Sequence, residues 1–114
     1  MTNKVRGEHT FTVEGVGSFT LLLNMGALAK IESGLGCNSV GQLIAKLAGM
    51  GVADILLILH ALAVAGGHKE LRIEDLYEWP PTFGAYSSAI QETMIAGGFI
   101  KRTSEGPSPN EQGQ

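Results

Sequence analysis

One cysteine, Cys37, is all the chain contains, so no disulfide can close within it and its fold owes nothing to an oxidising compartment. Basic residues are scarce as well. Eight Lys and Arg stand against eleven Asp and Glu, a net charge of -3, and cations gather nowhere beyond the adjacent Lys101 and Arg102. Binding nucleic acid by phosphate neutralisation is not expected of such a chain. Long apolar runs are missing too. The longest, residues 55–65, is interrupted by His60 and falls well short of the roughly 20 residues a spanning helix needs, so no membrane partner is expected. The polar start, Met1 to Arg6, lacks the apolar segment of a secretion signal, and a cytoplasmic location is the expectation.

Constellations able to do chemistry are equally absent. His9, His60 and His68 stand far apart in sequence and Cys37 has no cysteine nearby, so no metal site is expected. Cys37 beside Asn38 resembles a thiol at a helix start, but no base is positioned to activate it. The Gly15-Val16-Gly17 and Gly34-Leu35-Gly36 pairs lack the Lys-Ser or Lys-Thr of a phosphate loop and read as a strand turn and a helix stop. Glu74, Asp75 and Glu78 read as a solvated helix face rather than paired catalytic carboxylates. The residues therefore predict no catalytic group, no cofactor and no metal. An enzymatic reading would have to assemble a site from Cys37, His60 and an acidic residue.

What the sequence does contain is patterned apolar residues. Val5, Gly7, His9, Phe11 and Val13 alternate with polar neighbours, as do Phe19, Leu21 and Leu23 after the turn-like residues 14–18. This predicts a β-hairpin over about residues 4–23 with one greasy face, which must lie on helices or pair with another chain's strand. Asn24 is placed to cap a helix carrying Met25, Leu28, Ile31 and Leu35, with Gly34 or Gly36 as its stop. Ser39, or Asn38, opens a second helix with the stripe Val40, Leu43, Ile44 and Leu47, and Gln42 is positioned for a capping box. Residues 52–65 form a third helix, apolar nearly all round, with Asp54 in its first turn. A short helix over 71–78 follows, then the corner Trp79-Pro80-Pro81, which could alternatively serve as a docking motif. Thr82 is placed to cap a last helix lined by Phe83, Tyr86, Ile90 and Met94.

The expected architecture is α+β, mostly α: one domain over residues 1–102, with the hairpin on a bundle of four to five short helices over about residues 25–98. Residues 103–114 hold two prolines, two glycines and no large apolar side chain, and are expected to be a disordered tail. A helix as greasy as 52–65 must be central or covered by another subunit. Ile55, Leu56, Leu59 and Leu62, with Phe11 and Val13 of the hairpin, are accordingly the candidate protein-binding residues, and self-association into a homo-oligomer is one expected use of that surface.

Phe19-Thr20-Leu21, the helix Asn24-Met25-Gly26-Ala27-Leu28-Ala29-Lys30-Ile31-Glu32-Ser33-Gly34-Leu35-Gly36, then Asn38-Ser39-Val40 with Leu43, carry a resemblance. Together with Gly7, Asp54-Ile55-Leu56 and the small residues of 61–67, this order and spacing resembles the gene transfer agent tail protein family of phage-type tail assembly chaperones. The resemblance covers roughly residues 4–78, leaving Trp79-Pro80-Pro81 and the tail outside it. It implies a protein of a prophage or siphophage-like system that keeps the tape measure protein soluble and assists tail tube protein assembly. A structural tail or head-tail connector subunit of a phage-like particle is the alternative.

Overall fold

The structure, a computed structural model, describes residues 7–101. Alternation fixes the hairpin. Strands β1 (Glu8–Val13) and β2 (Gly17–Leu22) pair antiparallel in unbroken register from Glu8 opposite Leu22 to Val13 opposite Gly17. Gly15, at φ 81°, allows the tight reversal, which Val16 N–H closes onto the Val13 carbonyl at 3.0 Å. One face of the hairpin carries buried Val13, Leu21 and Leu23 and half-buried Phe11 and Phe19. The other presents exposed Thr10, Thr12 and Ser18, where the Thr12 and Ser18 hydroxyls meet at 2.9 Å. Val5 and the other hairpin residues expected before Gly7 lie outside the described residues, as does the tail expected from residue 103.

Helix α1 (Met25–Gly34) starts where the Asn24 side chain accepts the Ala27 N–H at 2.8 Å. It ends as Gly36 enters the left-handed region at φ 74°. Its core line differs from the expected stripe. Ala27 and Ile31 are buried while Met25 is 80% exposed, because at 3.6 residues per turn Met25 sits about 120° around the axis from Ile31. Helix α2 (Val40–Leu47) is capped by Ser39, which accepts the Gln42 N–H at 3.1 Å. Gln42 reaches past Ser39 to the Asn38 N–H at 2.7 Å, displacing the capping box by one residue. Only Leu43 of the α2 stripe is buried, and both Val40 and Ile44 are exposed; α2 engages the other elements least.

Helix α3 (Val52–Ala65) is the axle of the fold. Asp54 accepts the Gly51 N–H at 3.0 Å and pairs with Lys46 at 3.5 Å, so one carboxylate caps α3 and ties back the preceding turn. Beyond that turn β2, α1, α4 and α5 surround the helix, which explains how an element apolar on every side is accommodated within one chain. Its C-terminal Gly66 lies so close to β2 that a Cβ there would stand 2.1 Å from the Thr20 carbonyl oxygen. Only glycine permits that approach.

Helix α4 (Ile73–Leu76) is shorter than the expected 71–78. Asp75 takes the Arg72 N–H at 2.9 Å to start it, and successive turns at Glu78 and Trp79 then bend the chain towards the prolines. Helix α5 (Phe83–Ala96) follows Thr82, whose side chain makes no cap bond; its carbonyl accepts the Ala85 N–H at 3.1 Å instead. Buried residues from both strands and all five helices form one hydrophobic cluster. Among the described residues no single helix is long and apolar enough to cross a membrane.

Candidate protein-binding site

The corner after α4 is held by aromatic packing. Trp79, the chain's one tryptophan, has its ring 4.8 Å from Phe19, 6.0 Å from Tyr86 and 6.4 Å from Phe11. Phe11 meets Tyr86 edge-on at 6.4 Å and 88°. These tilted and edge contacts suit ring quadrupoles, and each aromatic pair is worth about 0.5–1.5 kcal/mol beyond its buried area. The Tyr86 hydroxyl donates to the Pro80 carbonyl at 2.5 Å, tying the first proline of the corner to the first turns of α5. Two strands, a corner and a helix thus converge on four rings.

Against this fixed corner lies an open groove of about 320 Å³. One wall is the start of α3, with Val52, Ile55 and Leu56; the other runs from Leu76 and Tyr77 through Trp79, Pro80 and Pro81 to Phe83 and Tyr86. Among the described residues no charged side chain lines it. Tyr77 is 63% exposed, Val52 56% and Phe83 45%, so three large apolar side chains stand around its mouth. Glu74, Asp75 and Glu78 are exposed on the α4 side; Glu74 pairs loosely with Arg72 at 3.8 Å, in keeping with a solvated helix face. A second hollow of about 370 Å³ lies between the α2–α3 elbow and α5, where Ser87 and Gln91 interrupt Leu47, Met50, Ile90, Met94 and Ile100. The first groove is the more consistently apolar, and a continuous apolar recess with exposed rims is the usual mark of a protein docking surface.

Four of the six residues expected to bind a partner are corrected by burial. Ile55, Leu59, Leu62 and Val13 are between 0% and 3% exposed, because the hairpin and helices of the same chain cover the face that periodicity left unpartnered. Leu56 and Phe11 are half-buried: Leu56 in the groove wall, Phe11 beneath Trp79. Ile55, though buried, still forms part of the α3 wall of the groove. Val52, Tyr77 and Phe83 are not among the expected binding residues; Tyr77 and Phe83 carry a signal, as large side chains standing two residues before and two after Trp79-Pro80-Pro81, whereas Val52, distant in sequence, carries none.

Two of the three histidines, His60 and His68, have structural partners. His60 Nε2 lies 2.8 Å from the Leu71 carbonyl, which can only accept, so that nitrogen carries the proton. His68, in the turn that follows α3, is half-buried. Its Nε2 accepts the Thr20 N–H at 3.0 Å and its ring lies 5.1 Å from Phe19, because the Gly66-Gly67 turn folds it against the outer side of β2. Cys37 is half-buried and packs against the core. Among the described residues no three His, Cys, Asp or Glu side chains gather as a metal site would require.

Compared with protein families, curated proteins and solved structures, the chain matches none.

Proposed function

We propose that this chain is a phage-type tail assembly chaperone, of the gene transfer agent or siphophage-like kind, working in the cytoplasm of a bacterial host. In this reading it does no catalysis. It binds an apolar segment of the tape measure protein, keeps it soluble and assists assembly of the tail tube around it. The observation that carries the reading is the uncharged groove bordered by exposed Val52, Tyr77 and Phe83. Such a groove suits an amphipathic helix laying side chains at positions i, i+3 and i+4 into a trough. The resemblance over roughly residues 4–78 supplies the client's identity, and the groove begins within that stretch and finishes beyond it.

Co-expression with a tape measure protein from the same phage-like gene cluster tests the proposal. The client's soluble fraction is expected to rise and the two to purify together. The pair Tyr77→Ala and Phe83→Ser is expected to abolish both effects while leaving the circular dichroism spectrum unchanged. No gain in solubility together with no co-purification overturns the reading. Mass spectrometry of purified particles gives an independent check: a chaperone is absent, whereas a fixed copy number per particle makes the chain a structural tail or connector subunit instead.

A further inference from the structure

The two outer edges of the hairpin are treated differently. Leu23 N–H bonds to the Gly7 carbonyl at 3.0 Å, so in the two-residue repeat of an antiparallel ladder Gly7, His9 and Phe11 point their backbone groups inward to β2. Glu8, Thr10 and Thr12 point theirs outward. On β2 the outward residues are Ser18, Thr20 and Leu22, and the middle one, Thr20, is blocked on both counts: His68 Nε2 takes its N–H at 3.0 Å, and Gly66 crowds its carbonyl. On β1, among the described residues, no group takes the outward backbone atoms of Thr10 or Thr12, and both residues are exposed.

Of the devices that usually blunt an open edge, β1 carries one charged residue, Glu8, at its start. It has no proline, no lysine and no bulge, and its six residues run in uninterrupted register. Its charges also choose among possible partners. An antiparallel second copy turned about a two-fold axis at Thr10 places Thr10 opposite Thr10, and Glu8 opposite Thr12 on each side. That register uses all three outward residues of both strands and sets Glu8 against a hydroxyl instead of another carboxylate. A register centred on Glu8 would oppose like charges. Pairing across a two-fold is isologous and closes after two chains.

The geometry points to a homodimer formed by β1 edge to β1 edge, which joins two hairpins into one four-stranded antiparallel sheet with Thr10 on its axis. The inference stands apart from the chaperone reading, since the edge is not part of the groove and its test contains no client. Sedimentation equilibrium of the full chain is expected to give twice the 12.0 kDa chain mass. Thr10→Pro removes an N–H that β2 does not use and is the kind of change an edge strand tolerates; it is expected to give a monomer with an unchanged circular dichroism spectrum. Thr10→Lys, which sets two cations face to face on the axis, is expected to do the same if the proline variant does not fold.

Register is read by crosslinking in a Cys37→Ala background. Thr10→Cys brings two Cα atoms to about 5.5 Å across the axis and is expected to be bridged by a short thiol crosslinker. Thr12→Cys leaves them about 14 Å apart, four residues of strand, and is expected to remain unbridged. A wild-type monomer overturns the inference. So does a folded Thr10→Pro or Thr10→Lys dimer, or crosslinking that is equally efficient at both positions.

Discussion

Leu62 and Thr93 are both fully buried, yet removing parts of them has different consequences. Leu62 sits on the inner side of α3 with no exposure, so Leu62→Ala leaves a cavity among the strands and helices around it. The expected loss is about 2–5 kcal/mol in a urea titration. Thr93 is a polar residue buried in the core, and its hydroxyl donates to the Ala89 carbonyl one turn earlier at 2.7 Å. That carbonyl belongs to the helical ladder in any case, so Thr93→Val keeps the shape, strands no partner and is expected to stay within about 1 kcal/mol of wild type. His68 acts across 48 positions of sequence through a single acceptor nitrogen. His68→Ala is expected to speed hydrogen exchange at the Thr20 amide selectively; the Leu23 amide, bonded to Gly7, serves as the internal control. Equal acceleration at both would mean that the imidazole holds the whole hairpin in place rather than one edge group.

At the level of elements, most boundaries were legible in the sequence because local chemistry sets them. Asn24 and Ser39 cap their helices through their own side chains, and Gly15 and Gly36 take the positive φ that stops or turns the chain. Thr82 shows where that logic weakens: the residue stands at the start of α5, but the corner before it turns its side chain out of capping geometry. What α3 packs against was not legible, because periodicity says that a face is apolar and not which neighbour covers it. Gly66 is the clearest case. Its role as a helix stop could be read locally, whereas its contact with a strand over 40 residues earlier could not. Gly66→Ala forces a methyl into the Thr20 carbonyl and is expected to destabilise the fold by about 1–3 kcal/mol, measured as a lowered urea midpoint. Ile44→Ser, on the exposed side of lightly engaged α2, is expected to change stability by about 0.5 kcal/mol or less.

For the molecule as a whole, the apolar surface expected of α3 has been turned inward, and the surface left open is assembled elsewhere. Ile55, Leu59 and Leu62 serve the core; Val52, Leu56, Tyr77 and Phe83 shape the groove. Periodicity does not tell the buried side of α3 from the open one, since both are apolar and only the packing of the hairpin and the other helices around α3 distinguishes them. The groove also spans two distant stretches, so no local pattern announces it. Its expected independence from stability is testable: Tyr77→Ala should weaken client binding while shifting the urea midpoint little, because that side chain is mostly in solvent. The position of Trp79 has an optical consequence. As the chain's one indole, it lies against Phe19 of the hairpin and forms part of the groove wall. Emission excited at the red edge of aromatic absorption therefore comes from a single known place. A blue shift on adding client would report desolvation of the trough, and a red shift on adding urea would report the hairpin leaving the corner, so one fluorophore already built into the chain reads out both events without a label.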